Sequence, residues 1–323
     1  MTATAPVFPD FGGDTALVTE TGPTDGLQMV PLMPTEAKKK WLSLIADAGF
    51  REIDVASFVP PSVIPQFADA EEVAVHGVSL PNASARMLAP NLKGAMRAAR
   101  SGARNLSCLF SVSEAHSRSN VRRSREDQFR LVENVLDWRN EQPEGERPFV
   151  QVSLCCVFGC SIQGNVEEAD VVRYVEAFLD AGIDDIMLCD TVGYANPKQV
   201  RRLLTTLMSV AGDKVSSLHV HNTRGLGLAN VAAAVEVGMR RFDSSLGGLG
   251  GCPFAPGATG NIVTEDLIFL LESMGLRCGI DFHRLLAARH YFAGVMPDVA
   301  LYGEIAKAGL PVRFERDAAD ASP

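Results

Sequence analysis

Ser217-Leu218-His219-Val220-His221-Asn222-Thr223 is the end of a β-branched run that starts at Val215, and a helical pattern follows it from about Gly227. Residues two apart on a strand point to the same face, so His219 and His221 are expected to project side by side from the strand's C-terminal end. Two neutral imidazoles aimed at one point suit a divalent metal. A pair of ordinary surface or core histidines is the alternative that this stretch leaves open. The strand, turn and helix read here form a unit that recurs on both sides, and the recurrence decides the fold.

Towards the N-terminus, Thr15 to Thr21 reads as a strand, Gly22-Pro23-Thr24-Asp25-Gly26 as a tight turn, and Pro34 to Ala48 as a helix ended by Gly49. Strands follow at Arg51 to Ala56 and at Arg86 to Ala89, the second leading through Pro90-Asn91-Leu92-Lys93-Gly94 into a helix that stops at Gly102. Asn105 to Val112 and Phe149 to Cys156 are strands, paired with helices over Ser124 to Asn140 and Val166 to Ala181. Asp185 to Cys189 precedes a helix near Pro197, and Arg240 to Ser244 precedes one over Thr264 to Met274. Eight such strands over about 260 residues are the count of an α/β (β/α)₈ TIM barrel. An open doubly wound sheet would carry a G-x-G-x-x-G turn after its first strand, and Gly22 to Gly26 lacks that spacing. One or two additional C-terminal helices are expected from Cys278 onward. The domain therefore spans 14–310, between an N-terminal tail, 1–13, and a polar C-terminal tail, 311–323, both expected to be disordered.

The chain has 323 residues and a net charge of −9, which argues against nucleic acid or an anionic membrane as a partner. No apolar run approaches the ~18 residues of a membrane span. Met1 to Gly13 carries no Lys or Arg, unlike a targeting leader, and seven cysteines read as reduced thiols, so a cytoplasmic location is expected.

In a barrel of this kind, chemistry sits at the C-terminal ends of the strands. Asp25 follows the first strand, Asp54 lies in the second, Asp190 follows the sixth, His219 and His221 end the seventh, and Asp243 ends the eighth. The loop after Asp243 carries Cys252 and Asn261. Mixed nitrogen and oxygen donors without thiolate fit Mg²⁺ or Mn²⁺ better than structural zinc. Each aspartate taken singly also reads as a helix cap or turn residue. Gly247-Gly248-Leu249-Gly250-Gly251-Cys252-Pro253 is a loop rich enough in glycine to move or to be closely approached. Its thiol is either an acid-base group delivered by loop closure or a small buried apolar side chain. Cys155, Cys156 and Cys160 have no paired spacing and read as packing residues.

From about Leu17 to Gly275 the chain resembles the 3-hydroxy-3-methylglutaryl-CoA lyase family of metal-dependent acyl-CoA lyases and Claisen-type synthases. The resemblance rests on Gly22-Pro23-x-Asp25-Gly26-Leu27-Gln28, Ser57-Phe58-Val59, Pro90-Asn91-Leu92-Lys93-Gly94, Asp190-Thr191-x-Gly193, His219-x-His221, and Gly248-Leu249-Gly250-Gly251-Cys252-Pro253 followed by Gly260-Asn261. It implies that Asp25, His219, His221 and Asn261 hold a divalent cation, Mg²⁺ or Mn²⁺. It also implies that Cys252 helps protonate the product, that Asp190 lies beside the substrate hydroxyl, and that Asn91 and Lys93 belong to the acyl-CoA site. The reaction it implies is C–C cleavage of 3-hydroxy-3-methylglutaryl-CoA, or a related 3-hydroxyacyl-CoA, to a ketone or keto acid and the enolate of acetyl-CoA, in a homodimer.

Four departures from the family pattern face the substrate. Thr24 stands where the family has arginine, Asp54 where it has glutamate, Ser153 at a usual tyrosine, and Asn222-Thr223-Arg224 in place of an Asp-Thr-Tyr run. Losing one donor to a developing enolate typically costs about 2.7–4 kcal/mol, or ~10²–10³ in rate. Arg224 is a candidate replacement charge, with a solvent-facing arginine at a helix start as its alternative. Two other functions stay open: a related aldol or Claisen-type lyase or synthase on another substrate, and a non-catalytic metal-binding homologue.

Overall fold

The computed structural model describes residues 13–250, 260–312 and 314. Residues 1–12, residue 313, residues 315–323 and the Cys252 segment therefore lie outside the described residues, whereas Gly13, Pro311, Val312 and Phe314 of the two expected tails lie within them. Eight parallel strands close a barrel in chain order: β1 (Leu17–Glu20), β2 (Glu52–Ser57), β3 (Ser84–Leu88), β4 (Asn105–Ser111), β5 (Phe149–Cys155), β6 (Asp185–Asp190), β7 (Val215–Val220) and β8 (Arg241–Ser244). Closure is by β1 against β8, with Thr19 level with Asp243. Around the barrel run α1 (Thr35–Asp47), α2 (Ala70–Val78), α3 (Leu92–Arg100), α4 (Glu114–Asn120), α5 (Arg125–Glu141), α6 (Glu168–Asp180), α7 (Pro197–Ala211), α8 (Gly227–Glu236), α9 (Thr264–Ser273), α10 (Phe282–Val295) and α11 (Ile305–Ala308).

Local chemistry sets where these helices begin. Asn91 Oδ1 accepts from Gly94 N at 3.0 Å to start α3, and Asn196 caps α7 in the same way with Pro197 at its first position. The sequence reading names no helix at α2 or α4. Ala70–Val78 is short and weakly helix-forming, with Val73, Val75, Gly77 and Val78 among its nine residues. The seven residues of α4 depend on a Ser113 cap, whose Oγ accepts from His116 N at 3.1 Å.

The apolar core lies between sheet and helices. Ile53, Val55, Leu106, Val150, Val152, Ile186, Leu188, Leu218 and Phe242 are buried there, each burial worth about 1.5–3 kcal/mol. The expected C-terminal helix is α10, joined to α1 by a Trp41–Phe292 ring contact at 4.7 Å. Inside the barrel the side chains are polar, where branched apolar residues usually dominate. Asn105 Nδ2 donates to Glu52 Oε2 at 2.9 Å, Gln151 Nε2 to Asp185 Oδ2 at 2.6 Å, and Arg241 Nη1 to Asp185 Oδ2 at 3.0 Å.

Glu20 ties the first turn to the last loop. Its Oε1 accepts from Gly22 N at 2.8 Å and Leu246 N at 2.9 Å, and its Oε2 from Thr264 Oγ1 at 2.7 Å. Burial pushes its carboxyl up to about 8 from 4.5, against the pull of those donors. The folded state thus holds this proton more tightly than the unfolded chain. The corresponding stability is full below the ordinary carboxyl value and is lost as pH rises towards 8. Glu20→Gln is expected to flatten the fall in melting temperature between pH 5 and 8.5; an unaltered profile contradicts the assignment.

Candidate active site

The C-terminal mouth of the barrel opens into a cavity of about 860 Å³. Thr24 and Asp25 come from the turn after β1, Asp54 from β2, Ser107 from β4, Ser153 and Cys155 from β5, Cys189 from β6, His219 and His221 from the end of β7, and Asp243 from β8. On its outer side it is bounded by Asn91, His116 and the Arg122-Arg123 pair that follows α4.

The two-residue spacing places the imidazoles together as expected, with His219 Nε2 and His221 Nε2 3.0 Å apart. Asp25 Oδ2 is 3.8 Å from His221 Nε2, and one donor atom from each of Asp25, His219 and His221 lies within 4.8 Å of the others. Asn261 meets this group because His221 bridges to it across the sheet end. Its Nδ2 donates to Asp25 Oδ2 at 2.5 Å and to Leu249 O at 3.0 Å, leaving its buried Oδ1 with no partner among the described residues. Gly250, at φ +112°, is required here: a Cβ would fall 2.6 Å from Asn261 Nδ2 and 3.0 Å from Asp25 Oδ2.

This donor set fits a divalent cation. Two donors each about 2.1 Å from one ion and at right angles lie about 3.0 Å apart, which is the spacing of the facing Nε2 atoms. A carboxylate and an unpartnered amide oxygen complete an oxygen- and nitrogen-donor group. Burial and the neighbouring His219 bring His221 down to about 4, so it is neutral near pH 7 and free to donate its lone pair. Burial alone would lower His219 too, but the hydrogen bond to Asp243 and its charge outweigh it and raise the value. His219 Nδ1 faces Asp243 Oδ2 at 3.5 Å, leaving Nε2 for the cavity.

Beneath these groups Arg86, 1% exposed, reaches from β3 across the barrel. Its Nε donates to Asp54 Oδ1 at 2.5 Å, and its Nη2 to Asp54 Oδ2 at 3.1 Å and to Asp243 Oδ2 at 2.6 Å. Its Nη1 is 3.4 Å from Glu52 Oε1 and 3.2 Å from Gln151 Oε1. Burial would raise Asp243, but Arg86 and His219 together hold it at about 2, so it stays ionised. Thr24 Oγ1 donates to Asp54 Oδ2 at 3.3 Å and contributes no charge to the cavity wall.

Of the site residues singled out in the sequence, Thr24, Asp25, Asp54, Asn91, Ser153, His219, His221 and Asp243 line the cavity. Asn261 joins through Asp25. Four others are placed differently or are not described. Asp190 is fully buried, and its two oxygens accept from Tyr194 N at 2.8 Å and Ala195 N at 3.1 Å; burial pushes it up to about 6 despite both bonds. Lys93 is exposed on α3. Arg224 donates to the carbonyls of Val192 at 3.0 Å and Gly193 at 3.1 Å, with its guanidinium 4.3 Å above the Tyr194 ring, and is not among the cavity residues. Cys252 lies outside the described residues. Cys156 and Cys160 are buried as expected, whereas Cys155, also buried, lines the cavity together with Cys189 of β6, whose thiol it meets. The sequence reading passed over Arg86 and the Arg122-Arg123 pair.

A closed parallel barrel with an Asp-His-His group at its C-terminal mouth defines a (β/α)₈ enzyme with a candidate divalent-cation site. The HMGL-like family model matches residues 16–291, and the chain belongs to that family. Hydroxymethylglutaryl-CoA lyase YngG of Bacillus subtilis is 37% identical over 273 residues, which is 84% of this chain and 90% of that one. The mitochondrial hydroxymethylglutaryl-CoA lyase of Homo sapiens is 33% identical over 85% of this chain and 83% of its own. Among solved structures, an HMG-CoA lyase from Acinetobacter baumannii in complex with coenzyme A and 3-methylmalate superimposes with a TM-score of 0.87 at 39% identity, covering 92% of this chain and 96% of that one. The chain is thus a hydroxymethylglutaryl-CoA lyase-like enzyme of the carbon–carbon lyase class.

Proposed function

We propose that this enzyme uses Mg²⁺ or Mn²⁺ to cleave the C2–C3 bond of 3-hydroxy-3-methylglutaryl-CoA, giving acetoacetate and acetyl-CoA. The observation that carries the reading is the convergence of Asp25, His219 and His221, with Asn261 behind them, at the mouth of an HMGL-like barrel. When bound, the cation supplies Lewis acidity to the substrate's 3-hydroxyl and an adjoining oxygen. Asp190, pushed up to about 6 by burial, takes up the hydroxyl proton only once its bonds to Tyr194 N and Ala195 N open, since both its oxygens are occupied and it does not line the cavity in the free enzyme. As the C2–C3 bond breaks, its electron pair moves to C2 and forms the acetyl-CoA enolate. Thr24 Oγ1, whose single proton is given to Asp54 Oδ2 in the free enzyme, turns that proton to the thioester oxygen where negative charge develops, with Asp54 holding the hydroxyl at the cavity wall until then. Cys252 returns a proton to C2. Removing the cation with a chelator is expected to stop product formation and Mn²⁺ to restore it. Full activity in the chelated enzyme contradicts the reading.

Arg122 and Arg123 form an exposed basic rim on the cavity of an acidic protein. Paired guanidinium groups suit the phosphates of a coenzyme A ester. Changing both to alanine is expected to raise KM for the CoA ester about tenfold, equivalent to about 1.4 kcal/mol, and to change kcat less than twofold. A fall in kcat at unchanged KM would place these arginines in another role. A second reading, the same cleavage on a 3-hydroxyacyl-CoA with a different acyl group, is favoured by the small polar wall of Thr24, Ser107 and Ser153. Ser107 and Ser153 share a hydrogen bond at 2.9 Å at the position where the family resemblance implies a tyrosine ring in place of Ser153.

A further inference from the structure

We infer that Arg86 is a positioning residue for the cation site: its guanidinium fixes Asp54 and Asp243 together, and through Asp243 it fixes the ring of His219 that presents Nε2 to the ion. The inference rests on the metal-dependent reading above.

Three observations carry it. Arg86 reaches both carboxylates at once, Asp54 through Nε and Nη2 and Asp243 through Nη2 at 2.6 Å. Such a fork constrains position as well as charge, which a single ammonium does not. The oxygen of Asp243 that accepts from Arg86 is the one facing His219 Nδ1 at 3.5 Å. An imidazole whose Nδ1–H is held by a carboxylate keeps one tautomer and one orientation, which makes its other nitrogen a better ligand. Both carboxylates held by the fork also line the cavity.

The alternative is that Arg86 only balances charge inside an acidic barrel. Arg241 provides the comparison. It is also buried, at 4% exposed, pairs with Asp185 at 3.0 Å and Glu52 at 3.5 Å, and stands two residues before Asp243 at the N-terminal start of β8. Neither Asp185 nor Glu52 is among the cavity residues. A charge-balancing role predicts equal consequences for losing either arginine, whereas a positioning role predicts unequal ones.

The experiment compares the full chain with Arg86→Met, Arg86→Lys and Arg241→Met. Mn²⁺ dissociation constants are read from the electron paramagnetic resonance of free Mn²⁺, fold from thermal melting, and histidine tautomers from imidazole nitrogen shifts of the metal-free protein. Outer-sphere partners of metal-binding histidines typically contribute 10–100-fold in metal affinity. A weakening of that size is expected for Arg86→Met, and a weakening of several-fold for Arg86→Lys, with loss of the single His219 tautomer in both. Arg241→Met is expected to lower the melting temperature and leave Mn²⁺ affinity within about twofold of the native value. If Arg86→Met does not fold, Arg86→Lys decides, because it keeps the charge and loses the fork. Native Mn²⁺ affinity in folded Arg86 variants overturns the inference, as does an equal loss in Arg86→Met and Arg241→Met. Absence of Mn²⁺ binding to the native chain overturns the metal-dependent reading itself, and the inference with it.

Discussion

Replacing His221 with alanine is expected to lower turnover of the CoA ester at least about 10³-fold, because Lewis-acid stabilisation worth several kcal/mol depends on a held cation. The imidazole is 4% exposed, and its Nε2 lies 3.0 Å from that of His219 and 3.8 Å from Asp25 Oδ2. Its Nδ1 has no hydrogen-bond partner among the described residues, so alanine leaves no donor or acceptor stranded there. The melting temperature of the metal-free variant is therefore expected to stay within a few degrees of the native value, while Mn²⁺ binding is lost. A variant that melts normally and keeps both Mn²⁺ binding and turnover would remove His221 from the site.

Thr24→Arg is expected to act in the opposite direction. Thr24 lines the cavity beside Asp54, and its hydroxyl provides one neutral hydrogen bond. A charged donor at a developing oxyanion is worth about 10²–10³ in rate over its absence. The guanidinium of Arg86 is committed below to Asp54 and Asp243, and that of Arg224 to backbone carbonyls and Tyr194. Among the described residues, neither of these two arginines lines the cavity. An arginine at 24 is therefore expected to raise kcat on 3-hydroxy-3-methylglutaryl-CoA about 10²-fold without changing Mn²⁺ affinity. A variant slower than the native enzyme, yet folded and binding Mn²⁺, would show that the cavity is shaped for a different acyl group.

The barrel was legible because strand, turn and helix repeat with clear changes of period, and because Gly49 and Gly102 close their helices where the pattern breaks. The unread helices α2 and α4 are short, and neither has a strong apolar stripe. His219 and His221 were legible because two-residue spacing is a property of the strand itself. Arg86 was not. Within Ser84-Ala85-Arg86-Met87-Leu88 it reads as a surface residue, and its carboxylate partners lie 32 and 157 positions away in sequence. Only barrel closure brings them together. Arg224 shows the converse limit: three residues from His221, it is carried away by the turn after β7 and captured by the loop after β6. Proximity along the chain does not determine direction once a strand has ended. Ser153 was identified by its position, but its hydrogen bond to Ser107 depends on the register of β4 against β5.

The most direct test is to incubate the native chain with 3-hydroxy-3-methylglutaryl-CoA and Mn²⁺ or Mg²⁺ and to measure acetoacetate and acetyl-CoA together. Equimolar release of the two products is expected, at a rate about 10²-fold below that of the Thr24→Arg variant. Intact substrate after prolonged incubation with a folded, Mn²⁺-loaded protein would contradict the assignment of this substrate.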